Sequence, residues 1–285
     1  MITYETIKAV DNTKIRLTCI KPTTQPKGVI QIIHGFGEGI VHYIDIANFF
    51  AQLGYVSVIH DQRGHGEMPE LTPKERQSAR GISPSYNHLL LDLESVHDYI
   101  NHHYPTLPTI LYGHSMGGNI ALNYLYKNPK ATYSKLILES PWFRLYKPVS
   151  KATATLAKLL GSLSPNIALT VNLNKAHICR NPQRVKSLET DPIYHNRISL
   201  RLVSQISEAG ENLLKNPFTL PIPTLLLCPK ADKIVCPMSI TEFAKNAGSN
   251  LILKEYPDAY HALRYDSVSD VVLTDIRLFL VADIS

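Results

Sequence analysis

Gly113-His114-Ser115-Met116-Gly117-Gly118 stands directly after the apolar run Thr109-Ile110-Leu111-Tyr112 and opens a stretch of helical spacing that reaches about Tyr126. A serine at the turn from strand to helix, bracketed by small residues, is held in a strained backbone conformation with its Oγ presented at the helix N-terminus. The glycines let strand and helix approach closely, and the helix end favours a developing negative charge. The pattern G-x-S-x-G is short and also occurs in ordinary glycine-rich turns. Its weight here comes from the strand-to-helix setting.

The same alternation continues on both sides. Gly28-Val29-Ile30-Gln31-Ile32-Ile33 and Tyr55-Val56-Ser57-Val58-Ile59 are short apolar runs, with apolar groups at helical spacing between residues 41 and 53. Leu136-Ile137-Leu138, Thr224-Leu225-Leu226-Leu227 and Leu251-Ile252-Leu253 read as further strands, and helices are expected near 239–247 and 267–282. Residues 2–20 alternate polar and apolar about Asp11-Asn12, the signature of a hairpin. Continuous apolar strands alternating with helices predict an α/β fold, with a mostly parallel sheet covered on both faces. From Trp142 to about Asn216 no strand pattern is found, while Val149, Ala152, Leu156, Leu159, Leu160 and Leu163 recur at helical spacing up to Ser164-Pro165. The expected organisation is therefore a core of 1–141 and 217–285, with a helical cap inserted at 142–216 over the carboxyl edge of the sheet.

A serine hydroxyl needs a base, and in this architecture the order along the chain is serine, acid, histidine. Of the twelve histidines, His261 follows the final expected strand, in Asp258-Ala259-Tyr260-His261-Ala262. His88, His97, His102 and His103 fall on or near a helix and are expected at the solvated surface. Asp232, after the strand at 224–227, is the expected acid that fixes the imidazole tautomer. Glu139, one strand earlier, is the alternative, and Asp258 and Asp266 lie too close to His261 in sequence. An oxyanion hole needs two backbone N–H groups. Met116, next to the serine, and Phe36, in His34-Gly35-Phe36-Gly37-Glu38, stand at the expected positions. Asp61-Gln62-Arg63-Gly64-His65-Gly66 gathers acid, base and cation, yet a structural brace for the oxyanion loop and the serine turn is the preferred reading.

The composition excludes several classes. A formal charge of +5 on 285 residues, without a run of like charges, does not suit nucleic acid. No basic patch followed by an apolar core opens the chain, and no stretch of roughly 18 uncharged apolar residues exists to span a membrane. The four cysteines lack Cys-x-x-Cys spacing, so reduced thiols and a cytoplasmic location are expected.

Taken together, these pieces resemble the monoacylglycerol lipase and lysophospholipase-like branch of the α/β-hydrolases, the serine aminopeptidase-type hydrolases. The resemblance rests on His34-Gly35 with Gly37-Glu38 and His42-Tyr43, on Asp61 to Gly66, on Gly113 to Gly118, on Ser140-Pro141, on Asp232-Lys233-Ile234-Val235 and on Tyr260-His261. It implies an α/β-hydrolase fold with an eight-stranded, mostly parallel sheet flanked by helices and a helical cap. It implies a catalytic triad of Ser115, Asp232 and His261, oxyanion donors Phe36 and Met116, and no metal or organic cofactor. Pro229 and Ala262-Leu263-Arg264-Tyr265-Asp266 depart from the family pattern without removing a reacting group.

The segment from Trp142 to Asn216 holds eleven Lys or Arg against four Asp or Glu. An apolar helix beside cations suits an acyl chain and an anionic head group or membrane surface. A cap helix packed on the sheet with a solvated lysine face is the plainer reading. The implied activity is serine esterase or lipase chemistry on a small-molecule or lipid ester, with peripheral membrane contact through the cap. A proline-iminopeptidase-like peptidase is the alternative, set back by the scarcity of carboxylates for a free ammonium. A non-catalytic hydrolase-fold binding protein is a further one, set back because every triad candidate is present.

Overall fold

A computed structural model of the chain describes residues 1–148, 151–164, 166–216 and 218–282. Its strands are β1 (Ile2–Lys8), β2 (Lys14–Ile20), β3 (Gly28–Ile33), β4 (Tyr55–His60), β5 (Thr109–His114), β6 (Tyr133–Glu139), β7 (Ala168–Thr170), β8 (Arg197–Ser199), β9 (Thr224–Pro229) and β10 (Leu251–Tyr256). The helices are α1 (Ile44–Gln52), α2 (Pro73–Ala79), α3 (Tyr86–His103), α4 (Met116–Lys127), α5 (Lys151–Leu163), α6 (Pro182–Glu189), α7 (Leu200–Lys215), α8 (Pro237–Ala244) and α9 (Ser269–Val281). Eight of these strands form one mostly parallel sheet.

The chain divides into two compact units. The first comprises Met1–Thr109, Val149–Asn172 and Pro192–Glu208. Its large-sheet strands run in the order β1-β2-β4-β3, with β3 parallel to β4 and β1 and β2 joined as an antiparallel hairpin. Every residue of β3 and β4 is buried, as expected for apolar runs covered on both faces. Val29, Val56 and Val58 pack with Leu17, Val96 and Ile100, so α3 covers this part of the sheet. The helix buries Tyr86, Leu89, Leu90, Leu93, Val96, His97 and Ile100, a stripe at helical spacing. His97 is therefore a core residue, against the surface expectation. α2 begins at a Thr72–Glu75 capping box with Pro73 in its first turn.

The second unit comprises Ile110–Pro148, Leu173–Asp191 and Ala209–Ser285. Its strands run β5-β6-β9-β10, with β6, β9 and β10 parallel. β9 is buried at every position, whereas β10 alternates and carries exposed Lys254 and Glu255. Charges on such an edge strand discourage pairing with another chain.

Between Trp142 and Asn216 the chain forms α5, α6 and α7, and also the antiparallel pair β7–β8, which the sequence pattern does not reveal. Three-residue strands are too short to show a period of two. Val149 and the side chains of Ala152 and Leu156 lie outside the described residues. Leu159 and Leu163 are exposed to 59% and 81%, so this end of α5 is not packed into a core. No helix among the described residues is long and apolar enough to cross a membrane.

Leu226 in β9 is fully buried, and Leu226→Ala should cost about 2–5 kcal/mol through lost burial and the cavity left behind. Leu278→Ala on the exposed face of α9 should cost less than about 0.5 kcal/mol. Chemical denaturation of the two variants measures the contrast, and equal losses would contradict this placement of the core.

Candidate active site

Ser115, Asp232 and His261 all belong to the second unit and follow the carboxyl ends of β5, β9 and β10, where side chains of an open α/β sheet converge. Ser115 has φ 53° and ψ −115°, a conformation that non-glycine residues rarely adopt. The turn is held by backbone bonds on both sides: Ser115 N–H donates to Glu139 O (2.9 Å), and Trp142 N–H donates to Ser115 O (3.0 Å). A Cβ on Gly113 would stand 2.6 Å from Gly117 O, and one on Gly118 would stand 2.9 Å from the Pro141 side chain. Glycine is required at both positions because the Gly117 backbone and the rigid Pro141 ring stand where a side chain would be. Met116 is the first residue of α4, where no carbonyl lies one turn earlier to receive its N–H.

The expected acid and base meet directly. Nδ1 of His261 lies 2.7 Å from Oδ2 of Asp232, and both side chains are almost entirely buried. Oδ1 of Asp232 accepts the N–H groups of Ile234 (2.7 Å) and Val235 (3.1 Å). With the carboxylate as acceptor, Nδ1 carries the proton and Nε2 is left as a lone-pair base. The loop bearing His261 is fixed by Ser140, whose Oγ donates to His261 O (2.6 Å). The His261 ring stands 5.0 Å from that of His114, the residue before Ser115.

Glu139, the alternative acid, is engaged elsewhere. It pairs with Arg264 (3.3 Å) and accepts the Tyr112 hydroxyl. Burial alone would raise its carboxyl, but Arg264 and His114 hold it below the usual carboxylate range. Asp266 accepts the N–H groups of Arg180 (2.9 Å) and Tyr260 (3.2 Å), bracing the backbone on one side of His261. Ser140 and Asp266 as fasteners are not readable from residue type. Ser140 has φ 49°, and no sequence signal marks that.

Phe36 lies in the first unit, in a turn built by its neighbours. Gly35 N–H donates to Glu38 Oε2 (2.9 Å) and lies 3.0 Å from the Tyr43 hydroxyl. Gly37 takes φ 76°, and its carbonyl accepts His195 N–H (3.0 Å). The Phe36 ring sits edge-on to His65 (5.9 Å) and His195 (5.8 Å). Of the expected brace, Asp61 touches the chain just beyond this turn, accepting Ile40 N–H (2.8 Å). Arg63 does not. It pairs with Asp92 of α3 and with Asp11 in the β1–β2 turn, both at 2.6 Å. Its reach along an extended side chain carries it away from the loop that holds it.

Such a fold and such a serine turn define the class, an α/β-hydrolase. The family described as "Serine aminopeptidase, S33" matches residues 24–267, and the chain belongs to that family. A monoacylglycerol lipase of Mycolicibacterium smegmatis is 28% identical over 264 residues, covering 92% of this chain and 90% of that one. Phospholipase YtpA of Bacillus subtilis is 26% identical over 257 residues, covering 90% and 95%. The crystal structure of a soluble variant of the Saccharomyces cerevisiae monoglyceride lipase, in complex with a substrate analog, matches with a TM-score of 0.84 at 25% identity. That match covers 98% of this chain and 94% of that one.

Buried imidazoles surround the Phe36 turn. Burial holds His34 and His65 down to about 3, His195 to about 2 and His60, in β4, to about 4. All four are neutral when folded, but the unfolded chain binds protons on them below about pH 6.5. Their contribution to stability is complete above that value and is lost as pH falls toward the folded values. Asp61, raised by burial to about 6, acts in the opposite sense and gains stability as it protonates. Four histidines outweigh one carboxyl, so the urea midpoint should fall between about pH 7.5 and pH 5. Equal midpoints at the two values would contradict the buried neutral histidines.

Proposed function

We propose that this protein hydrolyses carboxylic esters of the monoacylglycerol or lysophospholipid type through an acyl-enzyme on Ser115. The carrying observation is the buried Asp232–His261 pair, which leaves Nε2 as a base on the loop beside the strained serine turn. In this reading Nε2 of His261 takes the Ser115 proton as Oγ attacks the ester carbonyl. The imidazolium that forms is stabilised by Asp232, and the tetrahedral oxyanion is held by the N–H groups of Met116 and Phe36. His261 then gives its proton to the leaving alcohol. Water activated by the same nitrogen next cleaves the acyl-enzyme, which releases the acid and restores Ser115.

The substrate class is supported by the relatives, which are named for lipases that act on monoacylglycerol and for a phospholipase. Residues 142–216 serve as the cap. Its exposed Leu159, Leu163 and Leu169 offer an apolar face for an acyl chain or for peripheral contact with a lipid surface. The four unpaired cysteines suit a reducing, cytoplasmic setting.

Hydrolysis of p-nitrophenyl esters from acetate to palmitate, beside Ser115→Ala and aminoacyl p-nitroanilides, tests the proposal. Turnover should favour medium or long chains and drop at least about 10³-fold in the variant. Cleavage of the anilides but of no ester would replace it with peptidase chemistry. Full ester turnover by Ser115→Ala would remove Ser115 as nucleophile. The rate should also fall as pH drops from about 8 to about 5, because an imidazolium cannot accept the serine proton. A flat profile would contradict His261 as base.

A further inference from the structure

A recess of about 720 Å³ opens in the second unit, walled by Cys179, Arg180, Val185, Lys186, Glu189 and Tyr260. Its wall is fastened to the loop of the proposed base. Ala262 N–H donates to Ile178 O (2.7 Å), and Oδ2 of Asp266 accepts the N–H groups of both Arg180 and Tyr260. The recess thus adjoins His261 through the residue before it and is bolted on through the residue after it.

Cations outnumber carboxylates at this place. The Arg180 guanidinium lies 5.0 Å from the centre of the Tyr260 ring, and the Lys233 ammonium lies 5.5 Å from the same ring. Arg184 stacks on Tyr265 at 4.0 Å, and its Nε is buried with no hydrogen-bond partner among the described residues. Among the described residues, Arg180, Lys186 and Lys233 form no ion pair, and Glu189 is the acidic group on the wall. Like charges held together repel, and an anion removes that cost. The planar fork of arginine matches the paired oxygens of a phosphate.

We infer that this recess is a subsite for an oxyanion of phosphate type carried by the head group of the substrate, beside the ester bond that Ser115 attacks. The inference rests on the ester-hydrolase reading and narrows its substrate to anionic esters. A neutral glycerol head gains nothing from these cations, whereas an acylglycerol phosphate pairs with them as its acyl ester meets Ser115.

The test compares kcat/KM for a 1-acylglycerol-3-phosphate with that for the monoacylglycerol of the same chain. The preference for the anionic ester should fall about tenfold in Arg180→Glu/Lys186→Glu and rise in Glu189→Gln. A ratio unmoved in both variants would overturn the head-group assignment. Inorganic phosphate supplies the second arm. It should raise the thermal midpoint of the unaltered protein, but not that of the double variant, and should raise KM for the anionic ester. A phosphate-dependent midpoint with an unmoved ratio would assign the recess to free phosphate instead. No midpoint shift and no change in ratio would overturn the subsite altogether. If the unaltered protein cleaves neither ester, the hydrolase reading fails, while the phosphate response still reports on the recess.

Discussion

The serine turn depends on a close approach of backbones that only glycine permits. At Gly113 and Gly118 the chain passes within 3 Å of where a Cβ would stand, so β5, the start of α4 and the segment 139–142 meet at Ser115. Backbone bonds to Glu139 and from Trp142 hold the serine at a positive φ that costs on the order of 1–3 kcal/mol. That strain is held against β5, buried throughout, and the buried carboxyl half of β6. The same segment, through Ser140, also fixes the carbonyl of His261. One short stretch of backbone therefore sets the position of Ser115 and of the loop that carries His261.

Hydrogen bonding then decides which buried carboxylate faces His261. Two carboxylates, Asp232 and Glu139, are completely shielded from solvent, and neither can stay charged there without partners. Glu139 is satisfied by Arg264, Tyr112 and the Arg264 backbone, which leaves it a structural anchor between β6 and the loop after β10. Asp232 is satisfied by two backbone N–H groups and the imidazole, so its charge is directed at His261. Their roles separate by hydrogen-bond geometry rather than by residue type.

Much of this was legible in the sequence because it is local. The apolar runs at 28–33, 55–59 and 224–227 are covered on both faces and show as unbroken hydrophobic stretches. The strand-to-helix setting of Ser115 follows from the residues on either side of it. What was not legible depends on distance in three dimensions. His97 carries no mark that tells a core imidazole from a surface one. Arg63 looks like a brace for the loop it occupies, yet its guanidinium reaches Asp11 and Asp92 across the hairpin and α3. The β7–β8 pair joins strands too short for a pattern and separated by residues 171–196. Asp232 rather than Glu139 was expected beside His261 from its place after the strand at 224–227, and the structure shows the bonds it makes there.

The central claim is that Ser115 is a nucleophile activated by His261. A fluorophosphonate reacts covalently with such a serine, and mass spectrometry of the digested protein locates the adduct. The account predicts one adduct, on the peptide containing Ser115, formed rapidly in the unaltered protein and at least about 10³-fold more slowly in His261→Ala. An adduct on another residue, or labelling of Ser115 at the same rate without His261, would contradict it.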